Sequence, residues 1–258
     1  MSVALDLTGK RALITGGGQG IGAGIARYFA EAGAEVAVND LVPERAQAMV
    51  DDLVAAGGAA LSAPFDVTDF ESVTDAIDAV GGVDILVNNA GNAGGDGWTK
   101  MAPFAETDPA DWAPFIKVNL FGVMHCVRAA LPAMIERRWG RVITIISDAG
   151  RVGEPSMGAY AAAKGGAAAL TRSVAREVGR YGITANNISL GTMRTPLSEE
   201  RWATASESDK AALLKPYIVR RPGSPDDVAG LALYLASPAG EWITAQTYPV
   251  NGGYSVAL

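Results

Sequence analysis

The stretch TGGGQGIG, residues 15–22, follows a short apolar run at 11–15 and opens a helical pattern at 21–32. Glycines at such a turn let the backbone bend tightly and approach a ligand. The helix that follows offers free N–H groups and a partial positive charge at its first turn. In this strand–turn–helix context the motif predicts a site for a dinucleotide's pyrophosphate, whereas a glycine-rich turn without a ligand is the alternative. The predicted contacts are Gly16, Gln19, Gly20, Ile21 and Gly22.

Short apolar runs alternate with longer helical patterns along the rest of the chain. Several runs are apolar on both faces, which is typical of strands buried in a parallel sheet. The alternation predicts a Rossmann-type, doubly wound α/β fold, a three-layer arrangement with helices on both faces of the sheet. The predicted strands are 11–15, 35–39, 59–65, 83–87, 141–146, 183–189 and 247–250, and the predicted helices are 21–32, 44–56, 70–80, 110–138, 159–180 and 226–236.

The chain of 258 residues shows no linker, repeat or low-complexity tract, so we expect one domain over 1–258. Two segments interrupt the alternation of strands and helices: the glycine-rich loop 92–103 and the segment 195–222, a candidate substrate flap. Both follow strand carboxyl ends, where open α/β sheets bind ligands.

Composition excludes several classes of protein. With 49% apolar and 19% charged residues the chain is not disordered, and its net charge of −7 argues against a nucleic-acid partner. A lone histidine, His125, and a lone cysteine, Cys126, predict neither a metal site nor an intrachain disulfide. The N-terminus does not resemble a signal peptide and no apolar run of about 18 residues is apparent, so we expect no membrane association and a cytoplasmic location.

Asp40 ends the second predicted strand, eighteen residues past Gly22. A carboxylate there can accept hydrogen bonds from the adenosine ribose hydroxyls and would repel the extra phosphate of NADP. Neither Arg nor Lys occurs in the glycine turn, and Arg45 lies further on, in the next helix. The cofactor prediction is therefore NAD rather than NADP.

Three further motifs give the chain a family likeness. Asn88-Asn89-Ala90-Gly91 follows the fourth predicted strand, Tyr160 and Lys164 frame YAAAK, and Val250-Asn251-Gly252-Gly253 closes the pattern. With the glycine turn, these motifs in this order and spacing make the chain resemble the short-chain dehydrogenase/reductase family along its whole length. The resemblance implies a seven-stranded parallel sheet and a homotetramer, or a homodimer.

The resemblance also implies roles for residues that match the family's motifs. Asn119, Ser147, Tyr160 and Lys164 match the catalytic set. The implied cofactor contacts beyond the glycine turn and Asp40 are Asp66 and Val67 at the third strand's end, Asn88, Ala90 and Gly91 in the turn after the fourth, Tyr160 and Lys164, and Gly191 and Thr195 beside the nicotinamide. Two positions depart from the family pattern: Leu190 stands where proline is usual, and Ile146 where a second serine is common.

The chemistry of oxidising an alcohol explains these residue types. A phenol has a pKa near ~10, and a nearby cation lowers it. Tyr160 and Lys164 are four residues apart on one face of a predicted helix, so the ammonium, with the nicotinamide's charge, is expected to bring Tyr160 toward working pH as the general acid and base. Ser147 would donate to the substrate oxygen. The resemblance implies that Asn119 anchors a water that links Lys164 to solvent. Taken singly, such residues are more often surface contacts, caps or structural groups.

The substrate is predicted from the loops that would surround it. Trp98, Met101, Met157, Leu197 and Trp202 give an apolar wall, which suits a hydrophobic secondary alcohol or ketone, cyclic or acyl, CoA thioesters included. The alternatives are a 3-oxoacyl-[acyl-carrier-protein] reductase, whose carrier-docking positions match Arg138 and Tyr181, and a nucleotide-binding protein without turnover.

Three other features are open to two interpretations. Asp148 is either a substrate contact or a turn residue. His125 and Cys126 are expected to be a buried structural pair rather than a nucleophilic dyad. The small residues of 159–169 would let another helix approach, either in the core or across a subunit interface.

Overall fold

Seven parallel strands form the centre of the computed structural model, which describes residues 5–92 and 102–256. The strands are β1 (Arg11–Ile14), β2 (Glu35–Val38), β3 (Ala59–Ser62), β4 (Ile85–Asn88), β5 (Gly140–Ser147), β6 (Ile183–Leu190) and β7 (Thr247–Val250). They pair in the order β3-β2-β1-β4-β5-β6-β7, and all six pairings are parallel. The predicted Rossmann-type sheet is confirmed.

Helices cover both faces of this sheet. They are α1 (Gly20–Glu31), α2 (Pro43–Ala55), α3 (Phe70–Ala79), α4 (Ala113–Ile116), α5 (Gly122–Arg137), α6 (Ala149–Val152), α7 (Gly158–Val178), α8 (Pro196–Thr204), α9 (Glu207–Leu214) and α10 (Pro225–Ala236). One apolar cluster packs α1, α2 and α10 on one face, and a second packs α3, α5 and α7 on the other. The three-layer arrangement follows because each face of a buried parallel sheet needs a cover.

The strand order reverses between β1 and β4, which are neighbours although they are three strands apart in sequence. At such a reversal the connections leave in opposite directions and open a crevice beyond the strands' carboxyl ends. The glycine turn lies at the end of β1, and Asn88 is the last residue of β4. The crevice therefore lies between the two motifs singled out from the sequence.

The third strand is shorter than predicted. It ends at Ser62, so Asp66 and Val67 lie in the loop beyond it and not at its end. Pro64 has no N–H with which to continue the ladder. The Asn39 side chain holds this segment instead, because its Nδ2 donates to the carbonyl oxygens of Ala63 and Phe65 at 3.2 and 3.0 Å.

The helix predicted over 110–138 is interrupted. A 3₁₀ turn at Pro109–Trp112, α4 and a π-helical turn at Lys117–Phe121 precede α5. Pro109–Arg137 reaches the length and hydropathy of a membrane-spanning helix, with a mean hydropathy of 1.4, although Lys117, His125 and Arg128 interrupt its apolar residues. A core helix of a globular fold passes the same test, and α5 packs against α3, β4 and β5.

Candidate active site

Asn89 joins the glycine turn to the end of β4. Its Nδ2 donates to the carbonyl oxygens of Thr15 and Gly16 at 2.9 and 3.0 Å. The Thr15 hydroxyl in turn accepts from the backbone N–H groups of Asn89 and Ala90, both at 3.0 Å. The two motifs thus form one rigid wall of the crevice. The sequence interpretation passed over Asn89, although its position inside the Asn88–Gly91 motif was a signal for it.

The backbone at the glycine turn approaches too closely for other residues. A Cβ on Gly22 would lie 2.3 Å from the Gly16 carbonyl oxygen, and Gly20 has a φ of +58°, which L side chains rarely adopt. The turn opens onto a cavity of about 300 Å³ whose lining includes Gly18, Gln19, Gly20 and Pro196. The Thr195 side chain lies 3.5 Å from the Cβ position of Gly20, so the start of the flap reaches this turn. A cradle of bare backbone at a helix N-terminus fits the pyrophosphate of a dinucleotide.

Asp40 is 5% exposed and faces the same turn. Its Oδ1 accepts from the Val42 N–H at 3.0 Å, and Arg45 Nη1 lies 3.7 Å from that oxygen. A Cβ on Gly18 would be 2.8 Å from Asp40 Oδ2, so only a glycine leaves this carboxylate edge open. These contacts fit a carboxylate that binds ribose hydroxyls, and they also bring a guanidinium close to the same position.

The segment carrying Asp66 and Val67 is held by α5. His125 Nδ1 contacts the Val67 carbonyl oxygen at 2.9 Å, and a Cβ on Gly122 would be 2.7 Å from Val67 Cγ2. Asp66 is exposed and caps its own loop by accepting from the Thr68 N–H at 2.8 Å. His125 is therefore half-buried and bonded to the loop, not part of a dyad.

Cys126 is buried, and burial raises the pKa of its thiol to about 12. The predicted structural role fits this position. Among residues 5–92 and 102–256, no group of three or more His, Cys, Asp or Glu side chains could hold a metal ion.

Ser147, Tyr160 and Lys164 meet at the carboxyl end of β5. Ser147 is the last residue of that strand, and its hydroxyl accepts from the Ala149 N–H at 3.2 Å. Tyr160 is the third residue of α7, and Ser147 lowers the pKa of its phenol. Lys164, one turn further, is 5% exposed, and its Nζ lies 5.9 Å from the centre of the Tyr160 ring. The fold thus brings together the three residues the sequence singled out.

The ionisation of this group differs from the expectation. Burial raises the pKa of Tyr160, and the hydrogen bond from Ser147 opposes only part of that rise. Burial also lowers the pKa of Lys164 to about 8. Lys164 Nζ donates to the Ile145 carbonyl oxygen at 2.9 Å. The expected lowering of the Tyr160 pKa by Lys164 is therefore not a property of the protein alone, because desolvation outweighs attraction at this distance.

Asn119 is fully buried in the π-helical turn. Its Nδ2 donates to the Asn92 carbonyl and side-chain oxygens at 3.0 and 2.7 Å and to the Phe115 carbonyl oxygen at 3.1 Å. A Cβ on Gly91 would lie 2.8 Å from Asn119 Oδ1 and 3.2 Å from Lys164 Nζ. Asn119, Gly91 and Lys164 are therefore neighbours, and Asn92 is a positioning residue that the sequence interpretation missed.

The remaining predicted contacts lie around these residues. Asn88 is buried, and its Nδ2 donates to Thr144 Oγ1 at 3.4 Å. The loop after β6 forms without the family's proline: a Cβ on Gly191 would lie 3.0 Å from the Tyr217 ring and 3.2 Å from Asn251 Cα. Ile146 is a core residue, 1% exposed.

The apolar substrate wall is only partly described. Trp98, Met101 and the side chain of Leu197 lie outside the described residues. Met157 and Trp202 are half-buried, and the predicted flap contains two helices, α8 and α9. Two of the small residues of α7, Gly165 and Gly166, pack within the chain: a Cβ on Gly150 would be 2.7 Å from the Gly165 N, and one on Gly166 would be 3.2 Å from Leu120.

Comparison with known proteins agrees with this site. A family model described as enoyl-(acyl carrier protein) reductase matches residues 16–255. A (2S)-[(R)-hydroxy(phenyl)methyl]succinyl-CoA dehydrogenase subunit of Thauera aromatica is 36% identical, over 98% of this chain and 99% of its own. The chain belongs to the short-chain dehydrogenase/reductase family, whose oxidoreductases act on CH–OH or keto groups with a nicotinamide cofactor.

Solved structures of the family bind either cofactor. A gluconate 5-dehydrogenase from Burkholderia cenocepacia, in complex with NADP and tartrate, is 37% identical with a TM-score of 0.89, and the match covers 99% of this chain and 98% of that one. A 3-oxoacyl-[acyl-carrier protein] reductase from Brucella melitensis, with bound NAD, is 32% identical with a TM-score of 0.89, over 98% and 94% of the two chains.

Proposed function

We propose that this protein is an NAD-dependent dehydrogenase that interconverts a hydrophobic secondary alcohol and its ketone. The observation that carries the proposal is the meeting of Ser147, Tyr160 and Lys164 at the sheet edge that also holds the glycine turn. A bound nicotinamide would supply the hydride acceptor or donor. The protein's own task is then to move one proton at the substrate oxygen and to hold that oxygen in place.

Tyr160 takes the proton during oxidation and returns it during reduction. Its neutral phenol is favoured by burial, which makes it ready to donate to a ketone oxygen. The Ser147 hydroxyl accepts from the Ala149 N–H, so its own proton is free to be donated to the substrate oxygen or to the phenolate. Lys164, whose pKa is lowered to about 8, would exchange the proton with a water anchored by Asn119, and that water would carry it to solvent.

NAD is the proposed cofactor because of Asp40. Its buried carboxylate faces the glycine turn and would repel a 2′-phosphate. The residues proposed to hold the cofactor are Gly16, Gln19, Gly20, Ile21, Gly22, Asp40, Asp66, Val67, Asn88, Ala90, Gly91, Tyr160, Lys164, Gly191 and Thr195.

A hydrophobic substrate is favoured by the aromatic surroundings of Tyr160. The Phe115 ring meets the Tyr160 ring edge-on at 6.1 Å, and Phe104 stacks on Trp112 at 5.2 Å beside Gly158. The test is a spectrophotometric panel with NAD that contains cyclic alcohols, 3-hydroxyacyl-CoA thioesters and sugar acids. Turnover of the first two classes is expected. Turnover confined to small polar polyols or sugar acids contradicts the substrate class, and NAD binding without any turnover would favour a non-catalytic binding protein.

Carrier-linked 3-oxoacyl reduction is the second candidate. The guanidinium carbons of Arg138 and Arg180 lie 5.7 and 4.9 Å from the centre of the Tyr181 ring, a basic pair suited to an acidic partner. However, this pair lies at the amino ends of β5 and β6, opposite the edge that carries Ser147. Faster reduction of acetoacetyl-carrier protein with NADPH than of its CoA analogue, with the rate lost in Arg138→Ala, would favour this candidate.

We also propose a cytoplasmic homotetramer, or a homodimer. Phe121, at the end of the π-helical turn, and Met124 of α5 are 46% and 42% exposed, and Ala162 and Ala169 are exposed on α7. Such an apolar face suits a second copy of the same helices. Light scattering is expected to give four times, or twice, the chain mass of 26.6 kDa.

A further inference from the structure

Asp148, the residue after Ser147, carries a buried carboxylate whose two oxygens are both occupied. Ser189 Oγ and Arg151 Nη1 donate to Oδ1 at 2.6 and 2.9 Å. Asn251 Nδ2 and Ser255 Oγ donate to Oδ2 at 2.6 and 2.7 Å. The side chain is 3% exposed, so its donors shield it from the substrate and it is not a substrate contact.

The four donors come from three separate parts of the chain. Ser189 is the penultimate residue of β6, and Arg151 belongs to α6. Asn251 and Ser255 belong to the segment 251–256, which we call the C-terminal clasp. Because β5, β6 and β7 end at the same edge of the sheet, one carboxylate joins all three strand ends.

The C-terminal clasp continues from Asp148 to the flap. The Tyr254 hydroxyl donates to Glu154 Oε2 at 2.6 Å, and its ring lies 5.1 Å from the ring of Tyr217. The Tyr217 hydroxyl donates to Thr192 Oγ1 and accepts from the Thr192 N–H, both at 2.8 Å. Thr192 follows Gly191, so the loop after β6 and the flap share this network.

Asp148 also fixes the turn that orients Ser147. Its backbone N–H donates to the Leu190 carbonyl oxygen at 3.0 Å, and the next N–H, from Ala149, donates to Ser147 Oγ. With both the backbone and the side chain of Asp148 held, the Ala149 N–H stays aimed at Ser147. That bond uses a lone pair of Ser147 Oγ and leaves the Ser147 proton free for another acceptor.

We propose that Asp148 is a positioning residue: through the turn to Ala149 it holds the Ser147 hydroxyl in its donating orientation and couples that orientation to the C-terminal clasp. The proposal rests on the proposed function in taking Ser147 and Tyr160 as the reacting pair. Burial raises the pKa of Asp148, but its hydrogen bonds from Ser189, Asn251, Ser255 and Arg151 together lower it, so the group remains an anionic acceptor at neutral pH.

The test compares Asp148→Asn with a matched control. The amide keeps the shape of the carboxylate but turns an N–H₂ group toward donors. Asp84→Asn is the control, because Asp84 also binds the Arg11 N–H, at 3.0 Å, and Arg137, at 3.2 Å, but precedes β4 at the opposite edge of the sheet. Both variants are expected to lower the melting temperature and to bind NAD within about threefold of the wild type.

Kinetics separate positioning from simple destabilisation. Asp148→Asn is expected to lower kcat by about 10- to 100-fold, the range reported for small misplacements of catalytic groups, whereas Asp84→Asn leaves kcat within about twofold. In a Ser147→Ala background, Asp148→Asn should change the residual kcat by less than about twofold, because its effect passes through Ser147. An equal loss in both backgrounds overturns the proposal.

The ionisation of Tyr160 gives a readout that needs no turnover. In protein labelled with ¹³Cζ-tyrosine, and with the Tyr160 signal assigned from Tyr160→Phe, Asp148→Asn is expected to raise the pKa of Tyr160 because the Ser147 hydrogen bond is lost. Asp84→Asn should leave it unchanged. An unchanged titration in Asp148→Asn refutes the positioning role. A wild type that binds NAD but oxidises no alcohol refutes the proposed function, while this titration still decides the role of Asp148.

Discussion

Lys164 is buried, although burial disfavours the charged form of its side chain. The residue is 5% exposed, its Nζ donates to the Ile145 carbonyl oxygen, and burial lowers its pKa to about 8. A group of this kind is kept at a cost in stability, which is common where function needs a tunable proton site.

The pH dependence of stability should show this cost. The folded pKa lies below the unfolded value of 10.5, so between about pH 8 and 10.5 the unfolded state binds more protons and stability rises with pH. Below about pH 8, Lys164 is protonated in both states, so the loss of stability that comes from burying its charge is constant. Lys164→Met should remove this pH dependence. The free energy of unfolding, measured by urea denaturation, should therefore exceed that of the wild type by more at pH 7 than at pH 10. If the difference in the free energy of unfolding between the variant and the wild type is the same at pH 7 and pH 10, the result contradicts a lowered pKa of Lys164.

Asp40 decides between the two nicotinamide cofactors in this account. Asp40→Ala removes the carboxylate that would bind the ribose hydroxyls and repel a 2′-phosphate. Charged hydrogen bonds of this kind contribute about 1.5–3 kcal/mol, so the ratio of kcat/KM with NAD to that with NADP should fall by about 10- to 100-fold. Arg45→Ala, which removes the neighbouring guanidinium 3.7 Å away, should leave NAD preferred. An unaltered ratio in Asp40→Ala would mean that another group makes the choice.

The proposed reacting residues could be named from the sequence, but their surroundings could not. The family resemblance marks Tyr160 and Lys164, and a spacing of four places them on one face of a helix. The burial that raises the pKa of Tyr160 depends on Phe115 and on strand ends distant in sequence. Asp148 was ambiguous for the same reason, because Asn251 and Ser255 lie more than 100 residues away.

At the scale of the elements, α10 begins with a polar network beside the cavity at the glycine turn. Asp227 Oδ2 accepts from the Ser224 N–H at 2.7 Å, and both oxygens bind Arg221. Pro225, the first residue of α10, lines the cavity and packs against Gly24 of α1. The cap therefore fixes the position of α10 on α1.

Removing this cap should lower stability without changing the chemistry. Asp227→Ala is expected to cost about 1–2 kcal/mol in the free energy of unfolding, the usual cost of losing a helix cap. Asp226→Ala is the matched control, since Asp226 shares the first turn but is exposed. Denaturant titration and kcat with the best substrate of the panel provide the readouts. Equal stability of the two variants would show that the cap contributes nothing.

Element boundaries were least predictable where side chains replace backbone pairing. The third strand stops at Ser62 because Pro64 lacks an N–H and the Asn39 side chain takes over. The π-helical turn around Asn119 is held by hydrogen bonds to Asn92, which lies 27 residues earlier in the chain. A helical pattern in the sequence does not predict such contacts. Flap helices α8 and α9 carry few buried residues, so no strong apolar period marked them.

For the whole molecule, the alternation of strands and helices was sufficient to predict the sheet. Parallel pairing and right-handed crossovers leave few arrangements of seven such strands, and the observed order is one of them. Both faces are apolar because both are covered, as the two core clusters show. The substrate could not be predicted in the same way, because residues far apart in sequence meet around Tyr160. The side chains that face a ligand also do not repeat with the apolar period of a helix or strand.

The central claim is that the Tyr160 phenol moves the proton while a bound nicotinamide exchanges hydride. Tyr160→Phe keeps the ring and its contact with Phe115 but removes the hydroxyl. Tyr181→Phe makes the same chemical change at the opposite edge of the sheet and is the control. The decisive measurement is kcat of these two variants with NAD and the best alcohol of the panel, with NAD affinity measured in parallel. The account predicts a loss of about 10²–10⁴-fold in Tyr160→Phe alone, with NAD still bound; turnover of Tyr160→Phe within about twofold of the wild type would contradict it.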